Sequence, residues 1–347
     1  MDNVTNDFIK RILQNKKLKI TLISVIVIFI TVIGFSVYLT SSKTENISET
    51  EILIYPNDNI TKVKEQLIAK GVISKSNTSF STFAKTLKYS QNIKSGRYII
   101  KAKTPIIKLV RLLRSGNQQP VKVVITTART TEDFAEKITK KLLITKEDLL
   151  KEIKKQGYKY DNELFEYVIP NTYEVFWNTS AENLLEKLRK ESYKFWDNNK
   201  EKLQLTNLSK KEVVVLASIV SEETAKRDEM PRIAGVYINR LNKNMLLQAD
   251  PTVKFAVGDF SLRRITGKHL QIDSEFNTYK NLGLPPAPIC LPNVNALKAV
   301  LKYEKHNYIF FCAKEDFSGY HNFAATHDEH LKNAVRYRQA LNAKNIH

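Results

Sequence analysis

Two cysteines, Cys290 and Cys312, are all that this chain of 347 residues holds. No C-x-x-C pair and no Cys/His cluster at zinc spacing occurs, so a structural metal is not expected, and no cofactor is. His321 and His327 stand too far apart for a simple helical metal pair. Glycine-rich phosphate loops are missing. So is the strand-to-helix turn that presents a nucleophilic serine, which removes the usual marks of nucleotide and Ser/His/Asp chemistry. No run of like charge and no long polar tract interrupts a globular composition, which argues against extended disorder.

Positive charge, by contrast, is plentiful. Lys and Arg total 55 against 36 acids, giving a net charge of +19 and a pI near 9.6. That balance favours an anionic partner, whether nucleic acid, anionic lipid or an acidic wall polymer, or it describes a lysine-rich solvated surface. From Ile20 to Ser42 no charge interrupts an apolar run long enough to cross a hydrocarbon core of roughly 30 Å. A lone span in lipid must be helical, because its backbone has no other hydrogen-bond partners. Lys10, Arg11, Lys16, Lys17 and Lys19 precede the run, and Lys43, Glu45, Glu49 and Glu51 follow it. Positive flanks stay cytoplasmic, so the expected topology is single-pass in the cytoplasmic (inner) membrane, with the C-terminal bulk on the periplasmic, extracytoplasmic side. A cleaved signal peptide is the competing reading. It would need a shorter apolar region and small residues where Thr40, Ser41 and Ser42 stand. The same topology disfavours nucleic acid as a partner, since most of the positive charge lies outside the cytoplasm.

Past the span, residues 43–50 read as a polar linker. A strand is expected over Glu51–Tyr55, a helix through Ile60, Val63 and Leu67 stopped by Gly71, and a second helix over Asn77–Leu87. A strand over Arg97–Ile100, a helix from Pro105 to Gly116 and a strand over Val121–Ile125 complete a small α+β pattern. The stretch from Thr130 to about Asn207 reads as mostly helical. Within it, Ile169–Trp177, with proline, asparagine and three aromatics, reads as an ordered loop whose rings either stack on sugars or pack in a core.

Chemistry concentrates after Lys210. Leu216, Ile219, Val220 and Glu223 recur at i, i+3, i+4 and i+7, which sets a glutamate on the apolar face of a helix. Its neighbour Glu222 is turned about 100° away, toward solvent. Burial would keep the Glu223 carboxyl protonated near neutrality, the state a general acid needs. Arg227, at i+4, offers the opposite outcome: an ion pair that lowers the pKa. Spacing leaves both open.

Several motifs in order go further. LASIVSEETA, GVYINRL and LQADPTVKFAVG are followed by FNTYKNLGLPPAPICLPNVNALKAV and YHNFAATHDEH. Together they resemble the signature of the MltG (YceG-like) endolytic murein transglycosylases, from about Glu51 to the end of the chain. The resemblance implies a lytic transglycosylase. Such an enzyme cleaves the β-1,4 bond between MurNAc and GlcNAc and leaves 1,6-anhydroMurNAc ends, with Glu223 acting as acid and then base. It departs from the family pattern at Ser221, where a glutamate is usual. The resemblance also implies peptidoglycan glycan strands as substrate, peptidoglycan synthases as candidate partners, and a LysM-like subdomain over 51–116. Among the motif residues, Gln248, Asp250, Asn277, Tyr279 and His321 carry groups suited to sugar hydroxyls or N-acetyl groups, as does Tyr173 from the aromatic loop. Asp250 could instead cap a helix beginning at Pro251 or Thr252.

The expected architecture is therefore α+β. It comprises a cytoplasmic tail at 1–19, a transmembrane helix at 20–42, the linker at 43–50, the LysM-like subdomain at 51–116 and a larger mixed α/β catalytic domain at 117–347. The alternative function is a non-catalytic, membrane-anchored peptidoglycan-binding protein in which Glu223 is structural.

Overall fold

The computed structural model describes residues 16–262 and 265–344. The part of the expected tail that holds Lys10 and Arg11 lies outside the described residues. Helix α1, Lys16–Ser41, begins four residues before the apolar run. The stretch Lys16–Tyr38 has a mean hydropathy of 2.8 and none of it is buried by the rest of the chain, so the helix is long and apolar enough to cross a membrane. Three of its hydroxyls bond back to carbonyls four residues earlier: Thr21 to Lys17 (3.0 Å), Ser24 to Ile20 (2.9 Å) and Thr31 to Val27 (2.6 Å). Those side chains therefore need no water, as a lipid environment requires.

The chain divides into two compact units. The first holds the described residues up to Pro120 together with Phe176–Asn178. Strands β1 (Thr50–Ile54) and β2 (Gly96–Ile100) pair antiparallel, with Ile52 opposite Tyr98. Helices α2 (Ile60–Ala69) and α3 (Thr78–Thr86) lie between them in sequence, and α4 (Ile106–Ser115) follows. Asn59 and Asn77 start the first two helices by accepting from Lys62 N and Phe80 N, each at 3.0 Å. Gly116, at φ +74°, ends the third in the left-handed conformation that a side chain would strain. Val63, Leu67, Phe80, Tyr98, Leu109 and Leu113 close the core. Residues 43–50 are more than a tether here. Thr44 and Asn46 are buried, and the Asn46 amide donates to Ile100 O at 3.1 Å. Trp177 packs edge-on to Tyr55 at 5.1 Å, and the Asn178 amide reaches Ser95 Oγ at 2.8 Å, which draws this short segment into the unit.

The second unit comprises Val121–Val175 and the chain from Thr179 on. Strand β3 (Val121–Ile125) pairs antiparallel with β4 (Asn171–Val175). The segment read as a loop is thus a strand, since Tyr173 and Val175 alternate inward while Thr172 and Glu174 face out. Around this hairpin lie α5 (Thr131–Thr139), α6 (Lys146–Lys154), a 3-10 segment over Asp161–Tyr167, and α7 (Ala181–Asn198). Phe134, Leu149, Phe165, Tyr173 and Leu188 share one core. After the short α8 (Lys200–Gln204) comes α9 (Lys210–Glu223), which packs against α10 (Met230–Asn242), α11 (Asp250–Val257) and α12 (Val294–Leu301). Residues Val213–Val220 are buried without a gap, so α9 is a central helix and not a one-faced surface helix. Each large side chain so buried contributes about 1.5–3 kcal/mol, which makes α9 the best-anchored element near the site. Strands β5 (Phe310–Ala313) and β6 (His321–Ala324) form a hairpin, and α13 (His327–Ala343) ends the described chain.

Gly235, on α10, has a packing role. A Cβ there would lie 2.4 Å from Glu304 O and 2.7 Å from His306 Nε2. The loop before β5 is laced to that helix. Asn239 donates to His306 O (2.7 Å) and Tyr308 O (2.9 Å), and Glu304 N donates to Pro231 O (2.9 Å).

Candidate active site

Helix α9 fixes the site from both ends. Ser209 opens it with a capping box, accepting from Glu212 N at 3.2 Å while its own N–H donates to the Glu212 carboxylate at 2.7 Å. At the other end Thr224 turns to extended backbone, φ −146° and ψ 142°, so Glu223 is the last helical residue. The i+4 geometry that would bring Arg227 to Glu223 is therefore never formed. Arg227 is exposed, and no ion pair joins the two among the described residues. Glu222 is exposed, as its helical angle requires.

Glu223 keeps part of its surface open while its surroundings are dense. The Tyr237 hydroxyl, from α10, donates to its Oε1 at 2.5 Å. Burial pushes the carboxyl up to about 7; the Tyr237 hydrogen bond and His321 oppose that rise, while the charges of Asp250 and Glu222 add to it. Tyr237 is only 1% exposed and stands edge-on to Phe311 at 5.9 Å. Burial and the Glu223 charge raise its phenol well above the ordinary range, so it serves as a fixed donor. The carboxyl thus has one oxygen committed to an O–H donor, and a proton taken up near neutrality belongs on Oε2.

Around this acid the structure gathers most of the expected residues. Asp250 begins α11 without capping it. Ala249 is the N-cap residue, and the Asp250 carboxylate instead accepts from Tyr279 Oη at 2.6 Å. Burial and that carboxylate push the Tyr279 phenol up, keeping it a donor. Gln248 sits at φ +51°, a conformation that is uncommon for a residue with a side chain. Its N–H donates to Thr278 O at 3.1 Å, and Arg240 holds the segment by reaching Leu246 O (3.2 Å), Leu247 O (2.9 Å) and Gln248 Oε1 (3.2 Å). His321 opens β6. Its Nδ1 lies 2.7 Å from Glu229 Oε2, and its backbone N–H donates to Glu229 Oε1 at 2.8 Å. Glu229 is 4% exposed, so this carboxylate is committed to orienting the imidazole.

Two expected residues belong elsewhere. Tyr173 is in the core beside the β3–β4 hairpin, 3% exposed, with its hydroxyl donating to Ile169 O. A buried phenol needs a partner, and a carbonyl four residues back supplies it. Asn277 is fully buried and spends its side chain on loop backbone. It donates to Leu270 O (3.0 Å) and Ile272 O (2.9 Å) and accepts from Tyr279 N (3.0 Å), leaving no group for a sugar. Sequence reasoning passed over Tyr237, Glu229 and Arg240. A signal existed for two of them, since Tyr237 and Arg240 recur three apart on the apolar face of α10 with Ile233. Buried polar residues on a core stripe are unusual enough to mark.

Ser221 receives Asn293 N (3.2 Å) and Nδ2 (2.7 Å), and Ser218 receives Ile289 N (3.0 Å), so both serines bind the strap at 289–293 to α9. Cys290 and Cys312 are free thiols. Burial, with Glu222 nearby, raises the Cys290 thiol well above its usual range, which leaves it protonated and unsuited to nucleophilic attack. No group of His, Cys, Asp and Glu among the described residues is arranged to hold a metal ion.

The model of the YceG-like family matches residues 52–336. The chain belongs to that family. It is 28% identical over 322 residues to an endolytic murein transglycosylase of Bacillus subtilis, covering 86% of this chain and 88% of that protein. An endolytic murein transglycosylase of Streptococcus pneumoniae is 26% identical over 314 residues, covering 80% of this chain and 55% of that longer protein. A crystal structure of a yceG-like protein from Listeria monocytogenes has 28% sequence identity and a TM-score of 0.53, covering 84% of this chain and 99% of that one. Membership in the YceG-like family therefore extends over both units.

Proposed function

We propose that this YceG-like chain is a membrane-anchored endolytic lytic transglycosylase that cleaves MurNAc–GlcNAc bonds in peptidoglycan and leaves 1,6-anhydroMurNAc ends. The observation that carries the reading is the Glu223 carboxyl. Its surroundings push it up to about 7, one oxygen is bound by Tyr237, and the residue keeps a partly exposed surface. The names of the Bacillus and Streptococcus relatives support the substrate class.

In this mechanism Glu223 Oε2 delivers its proton to the glycosidic oxygen as the bond to the anomeric carbon breaks, and the electron pair leaves with the GlcNAc hydroxyl. Tyr237 then stabilises the carboxylate that remains. That carboxylate removes the proton of the C6 hydroxyl, whose oxygen attacks the anomeric carbon and closes the 1,6-anhydro ring. No water is consumed, and the acid returns to its starting state. Asp250, braced by Tyr279, and His321, braced by Glu229, supply fixed charge and hydrogen-bonding groups for the sugars on either side. Gln248 offers a carboxamide to the same sugars.

The reading extends to the rest of the chain. Helix α1 anchors the protein in a single pass with both units on the extracytoplasmic side, where peptidoglycan synthases would be neighbours. Residues 51–116 serve as the LysM-like subdomain. Phe80, Phe83, Tyr89 and Tyr98 are in its core, so its grip on glycan through aromatic faces is expected to be weak. The test is digestion of purified glycan strands by the detergent-solubilised chain, with mass spectrometry of the products. Anhydro ends support the proposal. Binding without cleavage would support the non-catalytic alternative, and hydrolysed reducing ends would replace ring closure by attack of water.

A further inference from the structure

A groove opens beside the end of α9. It has a volume of about 540 Å³ and is lined by Ala128, Arg129, Thr130, Glu222, Phe260 and Cys290, among others. Its charged wall groups divide into two kinds. Lys137 is spent within the wall, donating to Asp133 Oδ2 at 2.8 Å and to Thr127 O at 3.0 Å. Asp133 is spent in turn, since the same oxygen also accepts from Arg129 N at 3.1 Å. The Arg129 guanidinium remains, as does the Glu222 carboxylate, which is hydrogen-bonded to the neutral Cys290 thiol. Neither has an ion-pair partner among the described residues. Arg129 lies over the Phe260 ring, 5.4 Å from its centroid. Stacking of this kind holds a guanidinium flat while leaving its N–H edge free for a carboxylate. Leu291 N donates to Ala128 O at 2.7 Å, and Ser218 and Ser221 hold the same strap, so the floor of the groove is fixed.

A groove with one cation and one anion that lack ion-pair partners among the described residues suits a ligand carrying both a carboxylate and an ammonium group. N-acetylated sugars carry no ammonium. Amino acids do, and the peptide stems of peptidoglycan present free carboxylates and amines. Glu222 in the groove directly precedes Glu223 in the chain, so a stem would enter within reach of a glycan strand at the acid. We infer that this groove is a subsite for the amino-acid stem of the substrate, with Arg129 as its carboxylate receptor and Glu222 as its ammonium receptor. The inference rests on the proposed reaction for its substrate class, and on the groove itself for its site.

The experiment uses the detergent-solubilised full chain carrying Glu223→Gln, so that ligand is bound and not consumed. A disaccharide bearing a tetrapeptide stem and the same disaccharide without its stem are titrated by calorimetry. Each is added to this protein and to versions that also carry Arg129→Ala or Arg129→Lys, with thermal unfolding recorded for each. Loss of a charged, paired hydrogen bond predicts about 10- to 100-fold weaker binding of the stem-bearing ligand to Arg129→Ala. Arg129→Lys should recover only part of that affinity, and the stem-free ligand should bind all versions alike. Equal weakening of both ligands, no weakening of either, or no binding of the stem-bearing ligand to the parent would each overturn the subsite. Arg129-dependent stem binding by a wild-type chain that releases no cleavage product would leave the subsite standing and sink the proposed reaction.

Discussion

Glu223→Gln is expected to abolish cleavage and, above about pH 5, to stabilise the second unit. The folded carboxyl titrates at about 7 against 4.5 for the free group. Between those values the native state holds a proton that the unfolded chain has released, so wild-type stability falls as pH rises through the window and levels off above 7. At about 1.36 kcal/mol per unit, the loss has an upper bound between about 3 and 4 kcal/mol. Glutamine does not titrate, yet its carbonyl oxygen still accepts from Tyr237, so no buried donor is orphaned. The stability gap between variant and wild type should open from about pH 4.5 and be complete near pH 8. Trp196, buried in the core that holds α9, reports the relevant unit once Trp177 is replaced by phenylalanine. Urea unfolding followed by its fluorescence, at pH values from about 4.5 to 8.5, measures the gap. The same variant should lose at least about 10²–10⁴ in rate, because one group acts in both steps. Arg227→Ala is the control, with unchanged melting and activity, since that side chain is exposed and off the helix. Parallel stability curves would refute the raised pKa, and a fully active Glu223→Gln would refute the assignment of the acid.

Tyr237→Phe keeps the ring but removes the bond that lowers the Glu223 pKa. The alkaline limb of kcat/KM should move up by roughly 1–2 pH units, and a limb that stays put or moves down would show that the hydroxyl does not tune the acid. Gly235→Ala should destabilise by about 1–3 kcal/mol, read as a lower urea midpoint, because its Cβ would meet the carbonyl of Glu304. Tyr173→Phe should lower stability by about 1 kcal/mol and leave KM for glycan strands unchanged, as a core residue would. A periplasmic reporter joined after the C-terminal helix should be active only outside the cytoplasm, and activity inside would remove the wall as a substrate.

How far the sequence could be read followed the range of the interactions involved. Local signals carried well. The 3.6-residue recurrence of Leu216, Ile219 and Val220 marked α9, Gly116 marked the end of α4, and the alternation of Val121–Ile125 marked β3. Family motifs then singled out Glu223 where spacing alone left an ion pair open. The ion pair failed for a reason hidden from periodicity. No glycine or proline stands in the seven residues after Glu223, yet the chain leaves the helix there, so i+4 counting ran past the real end. The aromatic segment at 169–177 failed because its partner strand lies some 50 residues earlier, and pairing with β3 outweighed a loop-like composition. Glu229 was illegible for a similar reason. It stands among surface-like charges in the sequence, and only the return of β6 covers it with His321. Asn277 had the right chemistry for a sugar, but Leu270 and Ile272 already claimed its donors.

The 14 residues of α9 act as a ruler between Ser209, where the capping box fixes its start, and Glu223, where the helix stops. One residue added or lost inside it would rotate everything beyond by about 100° and shift it by about 1.5 Å along the axis. The carboxyl would then turn away from Tyr237, and the serines at 218 and 221 would no longer meet the strap. The length of this helix therefore matters to the site as much as the acid itself.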